Sequence, residues 1–430
     1  MKHPEIINEA RECVRSILST PEYNQGKGYN EIGTIWQDNI NIHLDDILNN
    51  SKSLEELFTR LNRHTFYDIN FGPRELIEAS VKWRLRNLSA DSTRKYPQLF
   101  SESSLIGPDR IVEDSGCNLS SDLVWRLSII NRVAKHIQFP TDSFSILEIG
   151  GGYGAFSRAL KTVFPHCKYI IVDLPHSLSF QYCFLKHSFP NSNHLFVTSN
   201  STIDFSNSDF IYLPHKWLHL LGGQKIFLAA NTNSFAEMPL TESTRYINFI
   251  QDSLEVDYLF SLNRLLNRVD NSVPSRELCV GHSFQYDRKW HVLDWEVDPD
   301  YERCPILTTL LTRNLHLIMK RQKTEDTFDQ SRLTDIELED WNTRPFWERY
   351  ELQLNGEVGV QYPPVMTRGD RELTPDLTSR GTLFNLWDYL RLSEPDSKKH
   401  AHQLLLRYLV ALGGSEKLFE EIPFLLDQVS

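Results

Sequence analysis

The chain has 430 residues, of which 40% are hydrophobic and 24% charged, and carries a formal net charge of −12. That length supports a sizeable core with accessory parts, in two or three structural units. The acidic balance lacks the basic footprint of a nucleic-acid surface, which counts against tRNA or DNA as partner, and it is compatible with a small neutral substrate and a cationic cofactor.

Residues 1–118 are polar and mainly helical in pattern. Leu54, Leu57, Phe58 and Leu61 make one helical face, and Leu76, Ile77, Val81, Trp83 and Leu85 suggest another segment. A loop rich in turn-forming residues, SSLIGPDRIVEDSGCNLS, precedes a strongly periodic helix with Leu123, Val124, Leu127, Ile130, Val133 and Ile137 on one side. Ser120 or Ser121 is its expected N-cap. The core boundary is placed near residue 119.

The central stretch is Ser145–Gly154, SILEIGGGYG, running into AFSRALKTVF. It reads as a buried strand, an acidic residue, a glycine turn and an amphipathic helix with Ala155, Phe156, Ala159, Leu160, Val163 and Phe164 inward. Gly150, Gly152 and Gly154 permit a strained turn and close ligand approach, and the helix N-terminus offers unpaired N–H groups. GGGYGA fits G-x-G-x-x-A, a weak signal by itself. Glu148 sharpens it, because a carboxylate there repels a pyrophosphate but suits the amino and sulfonium groups of S-adenosylmethionine. KYIIVDLP forms the next strand and ends in Asp173, nineteen residues after Gly154, where an acid accepts hydrogen bonds from ribose hydroxyls. The blander alternatives are a helix-end charge partner for Glu148 and an N-cap for Asp173. One unit that explains both acids together points to a class I methyltransferase.

His176–Phe189 is the second crossover helix, HLFVTS (194–199) a third strand, and FIYLPHKWLHLL (210–221) a strand that breaks at Pro214 into a short helical turn. KIFLAAN (225–231) is a buried strand, followed by NTNSFAEMP, a helix carrying Tyr246, Ile247, Ile250 and Leu254, and the strand YLFSLNRLL (258–266). Two alternating runs, Leu278 to Tyr286 and His291 to Val297, predict an antiparallel hairpin. The expected fold is therefore α/β: a doubly wound, Rossmann-like methyltransferase sheet, mostly parallel with an antiparallel edge hairpin, and helical N- and C-terminal extensions. Its units are 1–118, a methyltransferase core at 119–300, and a mainly helical region at 301–430. In the last, Leu404, Leu405, Tyr408, Leu409 and Leu412 form an apolar stripe that fits packing, a lid or a homodimer surface.

The ordered segments IGPDRIVEDSG (106–116), LEIGGGYG (147–154), YIIVDLPHSLSFQYCFL (169–185), YLPHKWLHLL (212–221) and NTNSFAEM (231–238) resemble a bacterial family of sugar O-methyltransferases. The resemblance covers roughly residues 105 to 300. It implies the S-adenosylmethionine-dependent fold and a hydroxyl of a sugar-like small molecule as acceptor.

Strand-end residues converge at the topological switch point of such sheets. The expected cofactor site is Glu148, Gly150, Gly152, Gly154, Asp173, Leu174 and Asn231: Glu148 for the charged methionine end, Asp173 for the ribose, Leu174 along the adenosine. An alcohol acceptor benefits from a general base, worth about 10²–10⁴-fold. His215 is the favoured base because imidazole titrates near neutrality, with Glu237 binding sugar hydroxyls or orienting it. Equally open are a backbone hydrogen bond for His215 and a helix N-terminal role for Glu237. His215 and His219 have helical metal-pair spacing without a third ligand, so no metal is expected. Tyr153 and Phe156 read as helix–sheet packing.

The six scattered cysteines, Cys13, Cys117, Cys167, Cys183, Cys279 and Cys304, form no C-x-x-C pair, which favours a reducing cytoplasm. No signal-peptide core opens the chain and no apolar run approaches the roughly 20 residues of a membrane span. Two further readings remain at this point: a nicotinamide-dependent oxidoreductase, allowed by GGGYGA and Asp173, and a methyltransferase-like module without catalysis.

Overall fold

The computed structural model describes residues 3–24, 40–61, 101–107, 111–114, 117–264 apart from 202, and the segments 266–268, 278–280, 289–297 and 314–322, with a few isolated positions. The second expected N-terminal segment (76–85), apart from isolated positions, and the C-terminal stripe lie outside these residues. Among the described residues, no helix is long and apolar enough to cross a membrane.

Helix α1 (Pro4–Leu18) buries Ile6, Ile7, Ala10, Val14 and Ile17, a stripe at helical spacing. Then come α2 (Pro21–Asn24), a π turn at Ile40–Leu44, α3 (Asp45–Asn50) and α4 (Leu54–Leu61). Leu54, Leu57, Phe58 and Leu61 are all buried. Where the sequence predicts only a loop, β1 (Val112–Asp114) and β2 (Cys117–Leu119) pair as a short antiparallel ribbon. Helix α5 (Ser121–His136) follows, and Ser120 is its cap: its Oγ accepts the Leu123 N–H at 3.0 Å.

The core alternates as expected: β3 (Ser145–Ile149), α6 (Ala155–Val163), β4 (Lys168–Asp173), α7 (Pro175–Ser188), β5 (His194–Phe196) and β6 (Phe210–Pro214). A 3₁₀ segment at His215–Leu221 leads to β7 (Lys225–Thr232). A second one at Phe235–Glu237 precedes α8 (Leu240–Asp252) and β8 (Glu255–Arg264). The remaining strands are β9 (Leu266–Arg268), β10 (Leu278–Val280), β11 (Trp290–Val297) and β12 (Asn314–Arg321).

Eight strands form one sheet in the order β11-β12-β8-β7-β3-β4-β6-β5. From β8 to β5 every pairing is parallel, and β12 runs antiparallel to both β8 and β11. The antiparallel edge is present, but with other strands than predicted. Leu278–Val280 pairs with Leu266–Arg268 as β10 and β9, and β11 pairs with β12. Period-two patterning identifies a strand and its faces but not its partner. Because β12 lies between β11 and β8, the core extends past the expected limit at 300 to Arg321.

Alternate residues of the strands feed two apolar layers. Ile146, Ile171, Tyr212, Leu228 and Phe260 face α5, α6, α7 and the N-terminal helices. Leu147, Val172, Leu213, Ala229 and Leu259 face α8 and the 3₁₀ segment. The N-terminal segment wraps from one layer to the other: Val14 joins the first, while Ile17 and Tyr23 join the second.

Candidate active site

The chain runs from β3 outward to β4 on one side, and the other neighbour of β3 is β7. This is a topological switch point, and in open parallel sheets the crevice at the carboxyl ends there takes ligands. The glycine turn occupies it. Gly150, Gly152 and Gly154 have φ of 71°, 60° and 98°, the left-handed region open to glycine without a Cβ penalty. A Cβ on Gly150 would lie 2.2 Å from Ser234 Oγ, so the turn also needs the missing side chain for space. The Gly150 N–H donates to Val172 O at 2.9 Å, which ties the turn to β4.

Asp173 ends β4, half-buried. Its Oδ1 accepts the Leu174 N–H at 2.7 Å, and its Oδ2 accepts from Gln181 Nε2 at 2.6 Å. Burial pushes the carboxyl up to about 7, with the Leu174 N–H, Gln181 and the Gly151 N–H pulling it back. Leu174, not Asp173, is the N-cap residue of α7. Leu174 itself is 8% exposed beside the acid. Glycine turn, Asp173 and Leu174 thus share one end of the sheet.

Glu148 is elsewhere. It sits one residue inside β3 and is completely buried beneath the turn. Its Oε2 accepts from Ser157 Oγ at 2.6 Å and Tyr169 OH at 2.9 Å, and its Oε1 has no hydrogen-bond partner. Burial pushes its carboxyl above the usual range against the pull of these two hydroxyls. The sequence expectation gave Glu148 to the charged methionine end; its carboxylate is instead buried and held by Ser157 and Tyr169. Its side chain faces the α6 side, where Ser157 holds it.

Asn231 is also fully buried. Its Nδ2 donates to Ile149 O at 2.8 Å and to Ser234 Oγ, while its Oδ1 accepts from the Phe235 N–H at 3.1 Å and Asn263 Nδ2 at 2.9 Å. Two donors and two acceptor sites are all filled. Asn231 therefore staples β3, β7 and β8 at the switch point, with no hydrogen-bonding capacity left for a ligand. Glu237, half-buried, ends the 3₁₀ turn that follows, and its N–H donates to Ser234 O at 3.0 Å.

His215 follows β6 and is 1% exposed. Its Nδ1 lies 3.1 Å from Tyr23 OH of α2, the Lys216 N–H approaches the same hydroxyl at 3.4 Å, and its Nε2 has no partner. Burial, reinforced by Arg245 and Lys216, pushes the imidazole down to about 3. His219 turns to a different neighbour, with Nε2 3.0 Å from Asn200 Oδ1.

Local patterning missed four polar residues around the turn. Tyr153, read as packing, donates its OH to Asp122 Oδ2 at 2.8 Å. Arg126 lies 3.4 Å from both Asp122 Oδ1 and Thr232 Oγ1. The N-terminal part of α5 is thereby drawn onto the crevice between β3 and β7. Gln181, the fourth, bridges Gly152 and Asp173. Only the helical spacing of Asp122 and Arg126 was visible in the sequence.

The fold is that of a Rossmann-like methyltransferase sheet, mostly parallel with an antiparallel edge. Residues 118–212 match the model of an O-methyltransferase domain family, about a fifth of the chain, and S-adenosyl-L-methionine is the cofactor of such a domain. Among solved structures, coclaurine N-methyltransferase bound to N-methylheliamine and S-adenosylhomocysteine is 11% identical, with 65% of this chain and 98% of that one covered at a TM-score of 0.32. Mitomycin 7-O-methyltransferase is 10% identical over 62% and 71% at 0.29. Magnesium protoporphyrin IX methyltransferase from Synechocystis PCC 6803 is 9% identical over 56% and 97% at 0.29. No curated protein sequence matches the chain.

Proposed function

We propose that this protein transfers a methyl group from S-adenosyl-L-methionine to a hydroxyl of a sugar or another sugar-like small metabolite. The carrying observation is the pairing of a left-handed glycine turn with a half-buried carboxylate, Asp173, at the end of the adjacent strand. The residues fit an adenosyl group. Asp173 keeps a lone pair beyond those used by Leu174, Gln181 and the Gly151 N–H, and Gly150 lets the turn close against Ser234 where a side chain would collide. The Asp122–Arg126 pair supplies both signs of charge for a zwitterionic amino-acid end, the role that buried Glu148 does not serve.

The cofactor supplies an activated methyl carbon, so the protein chiefly aligns an acceptor and excludes water. Asp173 holds the ribose and Leu174 covers the adenosine. Asn231 shapes the crevice by fixing Ser234 and the 3₁₀ turn. Glu237 is the better general base. A histidine pushed down to about 3 and fastened to Tyr23 is a weak proton acceptor at neutral pH, whereas Glu237 is a half-buried carboxylate on the loop after β7. His215 anchors the N-terminal segment instead.

The sugar-like acceptor is supported by the motif resemblance at 106–116, 212–221 and 231–238, and a small molecule rather than nucleic acid by the net charge of −12. Incubation with methyl-labelled S-adenosylmethionine and a panel of nucleotide sugars and glycosides tests the proposal. Label in a sugar hydroxyl supports it; label only in an amine, or NAD reduction by the same protein, overturns it.

A further inference from the structure

Gln181 stands two turns into α7 and is completely buried against the glycine turn. Its Nε2 donates to Gly152 O at 3.0 Å and to Asp173 Oδ2 at 2.6 Å. A side-chain amide nitrogen has two hydrogens, and both are used, one on the turn and one on the acid. The orientation of the amide is chemically fixed. A flipped amide would press Oε1 against a carbonyl and a carboxylate oxygen, neither of which donates.

This arrangement is costly. Gln181 Oε1 is buried without a hydrogen-bond partner, a penalty that leucine or methionine of similar size would avoid. The surroundings are tight as well: a Cβ on Gly151 would lie 3.0 Å from Ile171 Cγ2, 3.3 Å from Gln181 Nε2 and 3.4 Å from Glu148 Oε2. Turn, amide and strand-end acid form one interlocked unit. Packing alone gives no reason for an amide at its centre.

We propose that Gln181 is the positioning residue of the nucleoside subsite, fixing the Asp173 carboxylate against the glycine turn in the orientation that accepts the ribose hydroxyls. This rests on the adenosyl reading of the preceding subsection. The amide does two things for Asp173. It occupies one lone pair of Oδ2, so that the remaining one points into the crevice. It also opposes the desolvation that disfavours the charged carboxylate, as the Leu174 and Gly151 N–H groups do. Glu148 below the turn pushes the other way. Tyr246 of α8 interacts with Asp173 across the site, and neutral His215 follows Pro214, which pairs with Asp173 in the sheet.

Hydroxyl recognition is isolated by comparing adenosine with 2′,3′-dideoxyadenosine, each titrated into wild type, Gln181→Met and Asp173→Asn. The wild type is expected to prefer adenosine by about tenfold or more, the scale of a hydrogen bond to a charged group. That preference should collapse towards unity in both variants, while dideoxyadenosine affinity changes little. In the wild type it should also shrink between pH 8 and pH 6, as Asp173 takes up its proton, and this readout needs no variant to fold. An equal loss of both ligands in Gln181→Met, with the preference kept, would make the residue mere packing and overturn the proposal. A pH-independent preference would overturn it equally. A wild type that binds neither nucleoside nor S-adenosylhomocysteine would fail at the adenosyl reading itself, a distinguishable result.

Discussion

Asp173→Asn should stabilise the free protein while weakening its cofactor site. In the folded chain the Asp173 carboxyl is pushed from 3.8 up to about 7, chiefly by burial. An unfolded carboxyl titrates near 3.9, so between about pH 4 and pH 7 the folded state holds the extra proton. Stability therefore falls as pH rises through that window, and the full penalty is present at pH 8. A move of this size has a ceiling of about 4 kcal/mol at about 1.4 kcal/mol per pKa unit. Partial solvent access lowers it, and the asparagine NH₂ would meet the NH₂ of Gln181, so about 1–2 kcal/mol is the expected gain. That corresponds to a rise of about 2–8 °C in the melting temperature at pH 8, shrinking steadily towards pH 4. Differential scanning calorimetry of both proteins without ligand at pH 5 and pH 8 measures it. S-adenosylhomocysteine should then raise the melting temperature of the wild type more than that of the variant at equal concentration. A variant that is less stable at pH 8, or a difference independent of pH, would refute the reasoning that this acid is held ready for a ligand at a cost to the fold.

Four other substitutions, with one compensating change at Ser234, separate the roles assigned above. Glu148→Gln should keep S-adenosylhomocysteine affinity within a few-fold in a calorimetric titration, because the side chain is buried under the turn; a loss of about a hundredfold would return Glu148 to the cofactor. Glu237→Gln should lower kcat by about 10²–10⁴-fold, whereas His215→Asn should leave kcat within tenfold and mainly lower thermal stability. The reverse ranking would reinstate the histidine as base. Gly150→Ala meets Ser234 at 2.2 Å and adopts a φ of 71°. It should cost about 1–3 kcal/mol in urea unfolding and abolish cofactor binding, and Ser234→Gly should recover part of the stability but not all of it.

The parallel half of the sheet was readable because strands buried on both faces appear as apolar runs, and here they end in glycine, Asp173, Pro214 and Asn231. The antiparallel half was only partly readable. β11 finds its partner in β12 across residues 298–313, and nothing local distinguishes that pairing from the nearer Leu278–Tyr286 run. At the site, two strand-end acids looked equivalent, but register separates them by two residues. Glu148 pairs with Ile171, inside the sheet and on the α6 face, while Asp173 lies one step past Val172, the partner of Ile149. The environment of His215 was not legible in the sequence because it is set by Tyr23, 192 residues away. The Tyr153–Asp122 and Arg126–Thr232 contacts span 31 and 106 residues and leave no periodic trace.

The measurement that bears most directly on the adenosyl site is isothermal titration of the purified chain with S-adenosylhomocysteine and, separately, NAD at pH 8. Micromolar binding of S-adenosylhomocysteine, none of NAD, and loss of the signal in Asp173→Ala is the expected result. Binding of NAD in preference, or S-adenosylhomocysteine affinity unchanged in Asp173→Ala, would contradict it.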